Sequence, residues 1–223
     1  MLHRPRGGAR RGARGRGGGW IGGEGERGLT GRRLTRDGHP TPASARLDVA
    51  PTYDIHEHSH RFAAWAAATG ASASPTCRFS VEIGRAILEV TGFTPLLSNP
   101  SNMPSPKAFD RVHRKWRLKV ITEAKKRKLK FTHGIAAKLI NLYLKTRFTL
   151  GGHSKHPRVK AIHPPIDSLL MKSVNSTLPR TERMPTAWSK FDDETYQGVI
   201  AVLRHRNGSK PFWKIEAHWE GHR

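Results

Sequence analysis

Cysteine, long apolar runs and acidic residues are all scarce in this 223-residue chain. The single cysteine, Cys77, excludes an internal disulfide and fits a reducing environment. No apolar run approaches the roughly 18–20 residues that span a membrane. No hydrophobic stretch follows the Arg-rich N-terminus, as a secretory signal would require. We therefore expect a cytoplasmic protein that does not contact a membrane.

Acidic residues are too few to balance the basic ones, because 40 Lys and Arg face 17 Asp and Glu and give a net charge of +23. Much of the excess lies in residues 105–172, where 18 basic residues face three acidic ones. Like charges at this density repel one another unless an anion neutralises them. The window therefore favours a nucleic-acid partner. An acidic protein partner or an anionic membrane surface is the alternative.

The first part of the chain lacks the apolar side chains that a core needs. Residues 1–50 contain 13 of the 22 glycines, and Arg-Gly repeats run through them. This composition predicts a disordered Arg/Gly-rich segment over residues 1–52. It is interpreted either as a nonspecific nucleic-acid-binding tail or as an upstream stretch translated from a misplaced start codon. Residues 53–223 are predicted to form one helical domain.

Runs of alternating β-branched residues are also missing, whereas apolar residues recur at helical spacing. A long amphipathic helix of about 20 residues is predicted around residues 109–124, with a basic outer face. The helix after Thr132 is apolar around most of its circumference, so we expect it in the middle of the fold. Shorter helices are predicted at residues 60–69, 81–91, 166–174 and 192–205. The fold class is therefore all-α, a compact monomeric bundle of about seven helices.

A lysine inside the apolar helix is the first candidate for chemistry. Lys138, Asn141 and Lys145 form one polar stripe at positions i, i+3 and i+7. Neighbours such as Leu139 and Leu142 would desolvate the Lys138 amine, lower its pKa and expose the lone pair that makes it a nucleophile. The alternative is that Lys138 extends along its own stem to the surface.

The second candidate is Asp167, which follows Pro164-Pro165-Ile166 at the start of a short predicted helix. The positive end of a helix dipole favours a carboxylate at this place. Asp167 is interpreted either as a catalytic carboxylate or as a plain helix cap.

The string Gly134-Ile135-Ala136-Ala137-Lys138 resembles the hairpin of the helix–hairpin–helix DNA glycosylases, above all the 8-oxoguanine glycosylase branch. In that family Leu-Pro-Gly-Val-Gly-Thr-Lys precedes an apolar helix and a Val-Pro-Val-Asp segment. The first hairpin glycine then corresponds to Gly134, the Schiff-base lysine to Lys138 and the catalytic aspartate to Asp167. The similarity covers residues 130–171.

The chain departs from the family pattern at several positions. Ala136 stands at the second hairpin glycine, Thr132-His133 at the Leu-Pro entry, and Asn141 at the family's acidic residue. Lysine and aspartate are 29 residues apart, which is longer than in the family. The polar loop at residues 151–160 can hold the additional length.

The resemblance implies a helix–hairpin–helix-like element and a base-excision DNA glycosylase/lyase that acts on a damaged base in duplex DNA without a cofactor. Lys138 would form the Schiff base, and Asp167 would stabilise positive charge on the sugar. Backbone amides at the start of the Gly134 helix would hold a phosphate. The predicted DNA contacts are Lys130, Thr132, His133, Gly134, Ala136, Asn141, Lys145 and His163.

Two other functions stay open from the sequence. One is a non-catalytic DNA- or RNA-binding helical module in which Lys138 only clamps a phosphate. The other is a small RNA-binding or defence-system accessory protein. The segment His56-Glu57-His58-Ser59-His60 invites a metal interpretation, but no second ligand cluster has suitable spacing, so no metal site is predicted.

Overall fold

The structure is a computed structural model and describes residues 53–92 and 99–221, so the predicted disordered segment 1–52 lies outside the described residues. All described residues belong to the second of two compact units, Val49–Arg223. These residues are mainly helical and include no strand, which confirms the all-α class. In this part of the chain, no helix has the length and apolar character needed to cross a membrane.

Six α-helices follow one another within the described ranges. They are α1 (Ile55–Ser72), α2 (Val81–Val90), α3 (Phe109–Lys126), α4 (His133–Leu144), α5 (Ser168–Ser176) and α6 (Asp193–Asn207). Beyond Leu144 the chain continues in π-helical turns, Lys145–His153. Short 3₁₀ turns, among them Trp188–Lys190 and Phe212–His218, lie between or after the α-helices. The helix predicted at residues 60–69 is longer at both ends and passes through Gly70.

Capping side chains determine where five of these helices begin. Asp54, Ser80, Thr132, Asp167 and Asp192 each accept a hydrogen bond from the backbone N–H three residues further on. Caps of this kind contribute about 1 kcal/mol each to helix stability. The sequence predicted the caps of α2 and α5 because a short polar side chain precedes an apolar run in both places.

Helix α4 lies in the middle of the fold, as its apolar circumference predicted. Residues Gly134–Asn141 are all buried. The helix packs against α1, α3, α6 and the turn Trp188–Lys190. Helix α1 packs against α4 and buries five alanines completely, Ala63, Ala67 and Ala71 among them. These small side chains allow the two backbones to approach closely, so α1 and α4 form the centre of the core.

Helix α3 is the predicted long amphipathic helix and spans 18 residues. Its inner face buries Phe109, Trp116 and Val120, as the spacing predicted. The same face also buries His113 and Arg117 completely, which the apolar pattern did not reveal. Polar side chains at such positions require hydrogen-bonding partners from neighbouring helices.

Candidate active site

The structure brings Lys138 and Asp167 together although 29 residues separate them in sequence. Lys138 lies within α4, and Asp167 is the N-cap of α5. The Lys138 Nζ atom is 3.7 Å from the Asp167 Oδ2 atom, an ion-pair distance longer than a hydrogen bond. The Lys138 side chain is 9% exposed and the Asp167 side chain 20% exposed. A poorly hydrated amine therefore faces a carboxylate that solvent still reaches.

The surroundings of Lys138 act on the pKa of its amine in opposite directions, and burial has the larger effect. Burial lowers the pKa of the Lys138 amine, and the neighbouring Asp167 carboxylate opposes part of that shift. The Trp188 ring lies over the Lys138 Nζ atom, 4.2 Å from it to the ring centroid. These contacts overturn the alternative in which the side chain extends into solvent. The amine is held inside the protein by one carboxylate and one aromatic face.

Asp167 caps α5, as one of its two sequence interpretations predicted, and its catalytic role stays a prediction. Its Oδ1 atom accepts a hydrogen bond from the Leu170 N–H at 3.0 Å and so caps α5. Its Oδ2 atom accepts a hydrogen bond from the Trp219 indole N–H at 3.1 Å and faces Lys138. The capping contact and the indole fix the orientation of the carboxylate toward the amine.

A second ion pair lies beside the first. Lys145 lies two helical turns after Lys138. It forms an ion pair with Glu216 of the C-terminal 3₁₀ segment. Burial raises the pKa of the Glu216 carboxyl, and the nearby Asp167 carboxylate adds to that shift while Lys145 opposes it. A cavity of about 570 Å³ is lined by this pair together with Leu150 and Trp213. Its volume lies within the range of small-molecule sites.

Two residues of the site were missed by the sequence analysis. Trp188 lies in the connection before α6, and Trp219 lies near the end of the chain, so neither belongs to a periodic helix pattern. The sequence offered no signal that the Trp188 ring covers Lys138 or that the Trp219 indole binds Asp167. Both contacts arise only when the three segments pack around α4.

The predicted phosphate site at the start of α4 is already covered. The Gly134 N–H donates a hydrogen bond to the Phe191 carbonyl at 3.2 Å, and the Ile135 N–H donates to the Thr132 side chain at 3.2 Å. A Cβ atom on Gly134 would lie 1.8 Å from the Trp188 carbonyl oxygen. The prediction that Gly134 holds a DNA phosphate is therefore wrong in this fold, because residues 188–191 occupy that place.

Three other predicted DNA contacts lie in the interior. Ala136 and Asn141 are fully buried, and His163 is 1% exposed. Asn141 Nδ2 donates to the Pro164 carbonyl at 2.9 Å and to the Tyr196 hydroxyl at 3.1 Å. Direct contact between DNA and these three side chains is incompatible with their positions, and the prediction is corrected accordingly. Helical spacing placed Asn141 beside Lys138 but could not show that it faces the core.

The remaining predicted contacts are nearer the surface. Thr132 caps α4 and donates to the Ser189 carbonyl at 2.9 Å. His133 Nδ1 lies 3.2 Å from Arg117 Nη1. The pKa of His133 is lowered, mainly by burial. Lys145 is neutralised by Glu216, as described above. Lys130 is exposed. A role for these four in DNA binding stays a prediction.

The interior polar residues form one hydrogen-bonded network. His113 Nε2 lies 2.8 Å from Asn141 Oδ1, and the Tyr196 hydroxyl lies 3.0 Å from His163 Nδ1. His163 Nε2 lies 2.8 Å from Asp110 Oδ1, which connects the network to the surface. These hydrogen bonds all form when each histidine is neutral and donates from Nε2, a tautomer inferred from the partners. In that state His113 Nδ1 is buried without a hydrogen-bond partner, and the network is compatible with uncharged imidazoles.

Acid should destabilise the fold through these histidines. Burial lowers the pKa of His113 well below 6.5 and also lowers that of His163, so the unfolded chain binds more protons than the folded one below pH 6.5. The contribution of these histidines to the free energy of unfolding is fully present above pH 6.5 and decreases as the pH falls below it. Below pH 6.5, a histidine that is protonated in the unfolded chain and neutral in the fold costs up to about 1.4 kcal/mol per pH unit. Urea unfolding at pH 7.5, 6.5 and 5.5 measures this loss, and equal stability at the three values would contradict it.

Comparisons with known proteins give no match for this chain. No protein-family model matches it, no curated protein matches it, and no solved structure matches it. Among residues 53–92 and 99–221, no group of three His, Cys, Asp or Glu side chains is placed to hold a metal ion.

Proposed function

We propose that this protein is a DNA-binding base-excision glycosylase/lyase in which Lys138 forms a Schiff base. The observation that carries the proposal is the buried amine of Lys138, 3.7 Å from the Asp167 carboxylate. Burial lowers the pKa of that amine, which raises the fraction in the nucleophilic form. These two residues are also the ones that the family resemblance pairs.

The reaction uses the two side chains in distinct roles. The Lys138 nitrogen bonds to the anomeric carbon of the sugar as the bond between that carbon and the base breaks, and the base leaves with the electron pair and takes up a proton. Asp167 stabilises the positive charge that develops on the sugar. Opening of the sugar ring converts the adduct to an imine. The C2′ carbon then loses a proton to solvent, a C2′–C3′ double bond forms, and the 3′ phosphate leaves with the electron pair of the C3′–O bond, which cleaves the strand. Water releases Lys138 from the imine.

The basic surface supports a nucleic-acid substrate. Helix α3 exposes Arg111, Lys115, Lys119 and Lys125, and none of these four forms an ion pair with a described residue. Such side chains can neutralise phosphates and release counterions, which is the main source of nonspecific affinity for DNA. Helices α3 and α4 with the connection 127–132 would correspond to the family's helix–hairpin–helix element. Because residues 188–191 cover the start of α4, phosphates would be held by side chains instead.

Borohydride trapping tests the proposal directly. The full-length protein is incubated with duplex DNA that contains an oxidised purine or an abasic site, in the presence of sodium borohydride. An imine is reduced to a stable amine, so the expected result is a covalent protein–DNA adduct that survives denaturation. Absence of the adduct on both substrates, with DNA binding retained, would refute the enzymatic function.

A second function is favoured by a specific observation. The Lys138 amine is covered by the Trp188 ring, and the Asp167 carboxylate is bound by the Trp219 indole. A substrate sugar can reach the amine only where these rings leave room or move. If they stay in place, the pair acts as a structural ion pair within a non-catalytic nucleic-acid-binding module. Salt-sensitive DNA binding without an adduct would identify this function.

A further inference from the structure

A cavity of about 450 Å³ lies on the surface where three parts of the chain meet. The turn Pro106–Ala108 contributes Lys107, and the start of α3 contributes Asp110. The turn Val159–Ala161 contributes Lys160, and the end of α6 with the following turn contributes Arg204 and Lys210. Four of these five side chains are cationic. The cavity therefore concentrates positive charge from segments that are distant in sequence.

Among the described residues that line this cavity, Asp110 is the one carboxylate, and it is already neutralised. Arg204 donates to both oxygens of Asp110, at 2.7 and 2.9 Å, and His163 lies 2.8 Å from Oδ1. Arg204 and His163 hold the pKa of Asp110 well below its usual range, so the carboxylate stays anionic and paired. The Arg204–Asp110 pair then contributes no net charge.

The three lysines keep their positive charges uncompensated. Lys107, Lys160 and Lys210 are exposed, and none lies within 4 Å of a carboxylate in the described part of the chain. Three ammonium groups around one concave surface repel one another unless an anion enters. A phosphate carries the charge and the acceptor oxygens that such a group of donors can bind.

We propose that the cavity between Lys107, Lys160 and Lys210 binds a phosphate group, and that this phosphate belongs to the backbone of a bound nucleic acid. The proposal rests on the nucleic-acid-binding part of the function proposed above and is independent of Schiff-base chemistry. It also supplies a side-chain phosphate site in place of the amides at the start of α4, which Phe191 and Thr132 occupy.

Pyrophosphate binding to the full-length protein tests the cavity itself, and NMR or calorimetry measures it. Wild type is expected to bind pyrophosphate, and the double variant Lys107→Gln/Lys160→Gln is expected to bind it at least about tenfold more weakly. The matched control, Lys172→Gln/Lys190→Gln, loses the same charge at two exposed lysines that do not line the cavity, and it should bind pyrophosphate like wild type. Equal binding by wild type and the cavity variant, or no binding by wild type, would overturn the proposal.

The salt dependence of duplex DNA binding identifies the source of the phosphate. Each lost phosphate contact lowers the slope of log K against log salt by about 0.9. Because the cavity holds one phosphate, the cavity variant should lower the magnitude of the slope by about 0.9 relative to wild type. An unchanged slope with lost pyrophosphate binding would assign the cavity to a free phosphate compound and refute the nucleic-acid backbone as its ligand. Failure of borohydride trapping affects neither readout, so the two proposals fail separately.

Discussion

Replacing Lys138 by arginine should abolish the borohydride-trapped adduct, with a loss of at least about a thousandfold. Arginine keeps the positive charge that faces Asp167, but its guanidinium forms no imine with the sugar. Removal of a covalent nucleophile typically costs a large part of the rate enhancement, and the losses are larger than those for a general acid or base. The measurement is the amount of adduct in single-turnover trapping on abasic duplex DNA.

Lys145→Arg is the matched control for this experiment. Lys145 also lies at the end of α4 and is also paired with a partly buried carboxylate, that of Glu216. It should trap DNA as wild type does, because it is not the nucleophile. Both variants keep the positive charge and should keep the DNA affinity of wild type. Adduct formation by Lys138→Arg at the wild-type level would assign the imine to another lysine and end the proposed role of Lys138.

The pH dependence of trapping gives a second readout of the same site. The pKa of Lys138 is lowered chiefly by burial, and Asp167 opposes the shift. Asp167→Asn removes that opposition while an asparagine still caps α5, so the amine should lose its proton at a lower pH. The plot of trapping rate against pH should therefore shift to lower pH, and the maximal trapping rate should decrease. A purely structural role for Asp167 would change stability and leave the shape of the profile unaltered.

Gly134→Ala should destabilise the fold by about 3 kcal/mol. The added Cβ would lie 1.8 Å from the Trp188 carbonyl oxygen and 3.2 Å from the Phe191 Cβ, so residues 188–191 must move away. That movement also lengthens the hydrogen bond from the Gly134 N–H to the Phe191 carbonyl. Overpacking in a close-packed interior costs 1–3 kcal/mol, and a lost buried hydrogen bond adds roughly 1 kcal/mol. Urea unfolding monitored by circular dichroism measures the difference.

The same substitution at Gly198 should have the opposite sign. Gly198 lies inside α6, is exposed, and would have no heavy atom within 4 Å of its added Cβ. Alanine is favoured over glycine in an exposed helix interior by about 0.8–1.0 kcal/mol. Comparison of Gly134→Ala with Gly198→Ala therefore separates the steric clash at Gly134 from the general effect of alanine on helix stability. Equal stability of Gly134→Ala and wild type would show that residues 188–191 do not cover α4 and would restore its amides as a phosphate site.

The sequence by itself determined the local organisation of this protein. Apolar periodicity predicted α3 and placed α4 at the centre, since a helix that is apolar around its circumference must be covered on all sides. Ser80 and Asp167 marked helix starts because their side chains satisfy amide groups within the next turn. The pairing of Lys138 with Asp167 came from the family resemblance and is also present in the folded chain.

Only the tertiary structure decided what covers each buried face. Periodicity shows that Asn141 and Lys138 lie on a buried helix, but it carries no information on which distant segment meets them. The fold brings Trp188 onto Lys138, Phe191 onto Gly134 and Tyr196 onto Asn141. These contacts use side chains from the connection before α6 and from α6 itself. Their positions depend on the packing of the whole bundle, and that packing turned the expected phosphate site into part of the core.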